Sequence, residues 1–367
     1  MVRFFLVFVV FLFLGGWVYF GTKRSYLALD EGDLFLARPR YRILITHKGG
    51  IGEQEMAERI KLAGKSLNLE CASFPLNHPL FFKRVFPHYK ERFATLFHPD
   101  IVISLQGEKV CYPHSKHYIA LTHGSNYYFH SNAILPVRQL MDFDGFLVSF
   151  PDQEKLLSNH NFIQWYSTCG KTEFAPPTHF RLFYCGLNMA NTLFGTKYKQ
   201  LFSRLDKAHY FNVYGKKNEW RHTPNSYRGF IKCNGETLLR TMNNTGVALL
   251  LHAPDHFCGQ TPTGRIFEAA ASSNVIISDR HPFVEKEFGD TVLYIDQDKS
   301  SEEIFQQIDG HMRWIQSHPK EAILLAKRSH DIFIKKFTLE KQLENLIELH
   351  KRLQEPAEGS LKLIAVN

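Results

Sequence analysis

Short apolar runs, each long enough for one buried strand, alternate with stretches of helix-forming composition along most of this chain. They fall into two sets. The first holds Arg42–Thr46, Leu69–Phe74, Asp100–Leu105, Tyr118–Thr122 and Gly145–Ser149. The second holds Phe180–Cys185, Tyr210–Tyr214, Tyr227–Ile231, Val247–Leu251, Val275–Ser278 and Val292–Ile295. Strands that are apolar on both faces belong to parallel sheets, and parallel neighbours need helical crossovers. From about Asn161 to His179, around Pro176 and Pro177, the pattern loses its period and reads as a crossing between domains. The chain is therefore expected to be α/β, with two Rossmann-like domains over residues 41–170 and 171–336. Residues 337–367 supply a last amphipathic helix, Leu339–Leu353, and a tail.

Residues 1–22 stand apart. Phe4–Phe20 is unbroken apolar sequence ending in an aromatic belt of Trp17 and Tyr19, and no small-residue cleavage site follows it. With Gly21 and Thr22 it spans a hydrocarbon core of about 30 Å at helical rise. It is expected to be a single-pass transmembrane anchor, with residues 23–40 as linker. Lys23, Arg24, Arg38 and Arg40 lie behind it and only Arg3 in front, which favours cytoplasmic catalytic domains. The net charge of +8 suits an anionic partner or a membrane face. Without any Lys/Arg block, nucleic acid is not expected as a partner. The six cysteines show no CxxC and the histidines no metal-binding spacing, so free thiols and no metal site are expected.

The most informative stretch is Thr261–Arg280. Thr261–Arg265 is a turn rich in Thr, Pro and Gly, Ile266–Ala271 a helix-forming run, and Val275–Ser278 a strand. A helix N-terminus at such a turn suits an anion such as phosphate. Glu268, one turn in, is placed to accept hydrogen bonds from a ribose diol. The run Gly264–Asp279 closely resembles the donor-binding segment of group-1 glycosyltransferases of the two-Rossmann (GT-B) type, nearest the spore-maturation-protein-like branch. That resemblance implies two domains facing a cleft, with a closing helix that returns to the first domain. The Glu matching Glu268 would hold the ribose of a nucleotide-sugar, and Thr263, Gly264 and Arg265 its diphosphate. Many retaining members carry a second Glu eight positions earlier. Here that position is Gln260.

Further candidates follow from the same reading. His47–Gly52 joins a strand to a helix from Glu53 to Leu67, a Rossmann-type opening without the full GxGxxG spacing. By the resemblance Gly49, Gly50 and Gly52 border the acceptor side. His123 follows a strand's C-terminal end, where doubly wound sheets bind ligands, and is a candidate to contact the donor sugar. No clean Arg/Lys pair follows the first strand of the second domain; Lys197 and Arg265, with Lys216 behind them, are the candidate cations. Asp142 and Asp144 have the DxD spacing of single-Rossmann transferases. The same spacing recurs at Asp296 and Asp298, so the pattern is cheap and is read as an ordinary helix-to-strand turn.

These observations lead to the expectation of a membrane-anchored, metal-independent, retaining glycosyltransferase. Its nucleotide-sugar would be a substrate, not a bound cofactor, and its acceptor a saccharide or glycolipid. His123, Arg265 and Glu268 would be the catalytic group, with Lys197, Gln260, Thr263 and Gly264 binding the donor. The alternatives are a nucleotide-sugar-binding protein of the same fold with reduced catalysis, an exostosin-like inverting transferase, and a nucleotide-sugar epimerase of this architecture.

Overall fold

The computed structural model describes residues 39–76, 94–105, 112–121, 140, 142–186 and 195–355. The expected anchor, nearly all of the linker, His123 and the tail after residue 355 lie outside these residues. Among the described residues, no helix is long and apolar enough to cross a membrane.

Two parallel sheets organise the protein. The first runs through β1 (Arg42–His47), α1 (Ile51–Ser66), β2 (Glu70–Pro75), β3 (Ile101–Ser104), β4 (Lys116–Leu121), β5 (Gly145–Val148), α2 (Pro151–Leu156) and β6 (Phe162–Gln164). Its six strands lie in the order β2-β1-β3-β4-β5-β6. The second begins with β7 (Arg181–Cys185), α3 (Gly195–Leu205), β8 (Phe211–Tyr214), α4 (Thr237–Thr245) and β9 (Gly246–Leu250). It continues through α5 (Pro254–Gly259), α6 (Arg265–Ala271), β10 (Val275–Asp279), α7 (Pro282–Phe288) and β11 (Leu293–Ile295). Its five strands are ordered β11-β10-β9-β7-β8. Every residue of β3, β5, β9 and β10 is buried, as strands covered on both faces require.

Three long helices complete the chain: α8 (Ser301–Ser317), α9 (Pro319–Lys336) and α10 (Leu339–Gln354). The first two pack Ile304, Ile308, Met312, Ala322 and Ala326 against Leu182, Val247 and Ile277 of the second sheet. The last belongs to the other domain. Leu339, Leu343, Leu346 and Ile347 share one core with Ile43, Ile45, Ile101 and Ile103 of the first sheet. The chain thus crosses between the domains twice, which fixes the strand C-termini of one sheet near those of the other.

Several local expectations need correction. Tyr227–Ile231 is not a strand: only Tyr227 bridges Val213, and Gly229 at φ +107 breaks the extended backbone. The N-cap of α8 is Ser300; its hydroxyl accepts from the Glu303 amide, and Glu303 accepts from the Ser300 amide. β6 lies inside the stretch read as a plain crossing, too short for its alternation to show. Asp144 accepts from the His117 amide at 2.8 Å and from the Lys116 ammonium at 3.0 Å. Burial alone would raise its carboxyl, but these donors outweigh burial and hold it below the ordinary value. Asp144 therefore ties β4 to β5 at their N-terminal ends, opposite the edge where such sheets bind ligands.

Gly246 shows how tightly the second sheet is joined. It caps α4 in the left-handed conformation at φ +85, and a Cβ there would lie 1.9 Å from the His179 carbonyl oxygen. Gly246→Ala is expected to destabilise the protein by about 2 kcal/mol or more, combining the left-handed penalty with backbone displacement. A denaturant midpoint within experimental error of wild type would show that this junction is looser than described.

Candidate functional site

The site is built on the C-terminal ends of β7, β8 and β9, where backbone carbonyls and loops emerge into the space facing α1. The Thr261–Arg265 turn is held from three sides. The Thr261 hydroxyl donates to the Ser149 carbonyl of the first domain at 2.8 Å. Gly264 approaches the crossing segment so closely that a Cβ would meet the Ser167 carbonyl oxygen at 2.8 Å. The Arg265 Nε donates to the carbonyl of Cys185, at the end of β7, at 2.9 Å. Thr263 precedes Gly264, the N-cap of α6, and its carbonyl accepts from the Ile266 amide at 3.2 Å. Gly264 and Arg265 are thus placed by packing as well as by any ligand they hold.

A buried pair joins the ends of the two strands that flank this segment. Asp279, ending β10, accepts from the His252 amide at 2.7 Å and from the His252 ring Nδ1 at 2.5 Å, tying the ends of β9 and β10 together. The His252 ring stacks on His281 at 4.2 Å between centroids. His281 Nε2 donates to the His256 carbonyl at 3.0 Å, and its Nδ1 accepts from the Phe283 amide at 3.2 Å. Burial first, then the stacked His252 ring, pushes the His281 imidazole down to about 4. The cluster anchors α5, from which the turn begins.

Glu268 is not the open cleft carboxylate that the sequence suggests. Its side chain is only 6% exposed. One oxygen, Oε1, lies 2.7 Å from the Arg59 guanidinium of α1, and Oε2 pairs with Arg265. Arg59 also donates to Glu55 through Nη2 at 3.0 Å and Nε at 3.2 Å. The other Glu55 oxygen accepts from the Gly235 amide at 3.1 Å. Burial by itself would raise the Glu268 carboxyl, but the Arg265 and Arg59 guanidiniums outweigh it and hold the group below the usual carboxylate range. It is therefore a fixed negative charge at neutral pH.

This group lines a cavity of about 350 Å³ between α1 and the second sheet. Its wall includes Gly52, Glu55 and Arg59 on one side, and Gly186, Gly215 and Leu251 on the other. Thr263, Gly264, Arg265 and Glu268 close its base, and Lys232 adds a further cation. A smaller cavity of about 140 Å³ adjoins it, bounded by Phe150, Thr261, Thr263 and Phe267. A lining that is largely apolar but carries Glu55, Arg59, Lys232, Arg265 and Glu268 suits a ligand with an anionic middle and a flat or polyhydroxyl end.

The structure brings four of the expected residues, Thr263, Gly264, Arg265 and Glu268, together with Gly52 at this cavity. The others are elsewhere. Gln260 caps α5 in a left-handed conformation (φ 52) and points to solvent, outside the cavity wall. Lys197 on α3 donates to the Gln297 carbonyl. The Gly49 and Gly50 amides, with that of Lys48, donate to Glu53 Oε2, so the chain's own carboxylate fills that loop. His123 lies outside the described residues. Arg59, Glu55 and Lys232 escaped the sequence reading. Glu55 and Arg59 have the i,i+4 spacing of any exposed helix pair, and only the second domain buries them.

Two facing parallel-sheet α/β domains with a cavity at their strand C-termini have the GT-B architecture. Residues 197–348 match the glycosyl transferase-like family, which covers most of the second domain. On this match the chain is an enzyme, a glycosyltransferase. No curated protein sequence matches it. Among solved structures it is similar to a glycosyltransferase from Rickettsia africae, with TM-score 0.53 and 12% identity over 86% of this chain and 99% of that one. It is similar to sucrose-phosphate synthase from Thermosynechococcus elongatus, with TM-score 0.56 and 11% identity over 86% and 99%. The Anabaena protein HepE, solved with UDP and glucose, gives TM-score 0.54 and 10% identity over 84% and 100%. At these identities the likeness is one of fold.

The His281 environment carries a pH signature. Its imidazole titrates near 4 in the folded protein against an ordinary 6.5, so between those values only the unfolded chain binds the proton. Stability is therefore expected to fall as pH drops through that window. His281→Asn keeps an acceptor for the Phe283 amide and should flatten this fall, read from denaturant midpoints at the two ends of the window. An unchanged slope would show that His281 is protonated in the folded state.

Proposed function

We propose that this protein transfers a sugar from a nucleotide-sugar donor to a saccharide or glycolipid acceptor. The observation that carries the reading is the convergence of Glu268, Arg265 and Gly264 on one cavity at the C-terminal edge of the second sheet. In this reading the donor lies against the second domain with its ribose on Glu268. Its diphosphate meets Arg265, the amides of Gly264 and Arg265, and Lys232. Catalysis is mainly electrostatic: cations aimed at the leaving diphosphate stabilise the charge that develops as the glycosidic bond loosens. The chain needs no metal for this step, and it retains anomeric configuration, as in the spore-maturation-like branch that its Gly264–Asp279 segment resembles. HepE, solved with UDP and glucose, supplies the donor chemistry by analogy of fold.

Residues 1–22 then anchor the enzyme, with both domains on the cytoplasmic side, where nucleotide-sugars and a polysaccharide or lipid-linked acceptor meet. Protease added to sealed spheroplasts is expected to leave the domains intact; their digestion would place them outside. A second reading, a nucleotide-sugar-binding protein with reduced turnover, is favoured by Gln260, which lies outside the cavity where many relatives carry a sugar-contacting Glu. Incubation with labelled nucleotide-sugars separates the two, since a binding protein releases neither free nor transferred sugar.

The most direct test of the donor site is nucleoside diphosphate affinity. A ligand that binds the folded state raises its melting temperature, so a panel of diphosphates identifies the base first. Glu268→Gln should then bind the best of them at least about tenfold more weakly, because charge-assisted hydrogen bonds to the ribose contribute roughly 1.5–3 kcal/mol each. EDTA should leave wild-type affinity unchanged. Equal affinity in a folded Glu268→Gln protein would remove Glu268 from the donor site.

A further inference from the structure

Arg59 is a first-domain residue in the wall of a cavity built mainly by the second domain. The carboxylate it holds, Glu268, has its side chain 6% exposed, and both oxygens are engaged, one by Arg59 and one by Arg265. The carboxylate keeps lone pairs beyond these two contacts, but the guanidiniums enclose it, so a ribose diol reaches it only when one of them moves aside. Arg265 stands one turn before Glu268 on the same helix and is also fixed to the Cys185 carbonyl. Arg59 reaches across from α1, and its other partners, Glu55 and the Thr168 carbonyl, remain available when it withdraws.

The surrounding contacts make the same interface the movable one. Glu55 accepts from the Gly235 amide, and Gly235, at φ +80, packs on Leu62 of α1. Glu55, Arg59 and Leu62 share one face of α1, so the helix meets the second domain as a unit. The four side chains Glu55, Arg59, Glu268 and Arg265 carry no net charge together. Removing Arg59 from Glu268 exposes a negative charge on the second domain until a hydroxyl-bearing ligand satisfies it.

We propose that Arg59 is a positioning residue of the donor site, supplied by the opposite domain as a latch. Its ion pair with Glu268 holds the empty cleft together, and a nucleoside diphosphate displaces it, so donor binding and the α1 contact exclude each other. The inference rests on the donor site proposed above. Because the two exclude each other, weakening the latch strengthens donor binding by at most the same factor.

The test measures the affinity of a nucleoside diphosphate, chosen by the wild-type melting panel, for the full chain and two variants. Glu55→Gln combined with Arg59→Gln removes the latch and keeps the cluster neutral, and binding is expected to tighten about three- to tenfold. Arg59→Lys, which replaces a fork by a single donor point, should tighten it by a smaller factor and serves if the double variant does not fold. Merely structural residues would not improve affinity when removed. Wild-type binding with unchanged or weaker affinity in the variants would overturn the latch and leave the donor site standing. No binding of any nucleoside diphosphate by wild type or variants would overturn both.

Discussion

Four charges, Glu55, Arg59, Glu268 and Arg265, meet where the two domains face each other, and three of them are almost wholly removed from water. Desolvation makes such a group a poor source of net stability, because the attraction gained barely offsets the hydration lost. Its value is specificity. Losing one partner strands a buried charge at a cost of roughly 3–5 kcal/mol, so the network admits one arrangement of α1 over the second sheet and resists its neighbours. It also keeps Glu268 ionised at neutral pH, which a lone buried carboxyl would not be. A ligand with hydroxyls and phosphates speaks to both halves of this network. Hydroxyls can take over the carboxylate, and phosphates the guanidinium of Arg265.

The rest of the fold brings those charges to one place. Among the described residues all strand pairs are parallel, so within each sheet every strand ends on one edge. The crossing segment and the return of α10 join the sheets twice, and the Thr261 turn adds a third link through Ser149. The His252–Asp279 pair fixes the base of that turn from below. Gly264 then matters as much for what it lets pass, the Ser167 carbonyl, as for the amide it presents. The cavity is rigid on the second-domain side and depends on ion pairs on the α1 side.

Architecture was legible in the sequence because buried parallel strands leave a strong local trace. Val275–Ser278 and Val247–Leu251 announce themselves by β-branched and apolar composition alone, and each lies within one residue of its observed span. Tyr227–Ile231 carries aromatic and β-branched residues too but is not a strand, since Gly229 sits where no strand can continue. Within the site, Gly264, Arg265 and Glu268 were legible because they lie on one contiguous motif. Their surroundings were not. Whether Glu268 faces solvent or Arg59 depends on a helix two hundred residues away in sequence, and nothing local to Glu55 or Arg59 distinguishes them from a solvated pair. Gly49 and Gly50 illustrate the converse: the loop has the composition of an anion cradle, and Glu53 fills it.

A structure of the full chain with its preferred nucleoside diphosphate would test the central claim most directly. Ribose hydroxyls are expected on the Glu268 carboxylate, the diphosphate beside Arg265, and Arg59 withdrawn towards Glu55. A nucleotide bound elsewhere, with the Arg59–Glu268 pair intact, would contradict it.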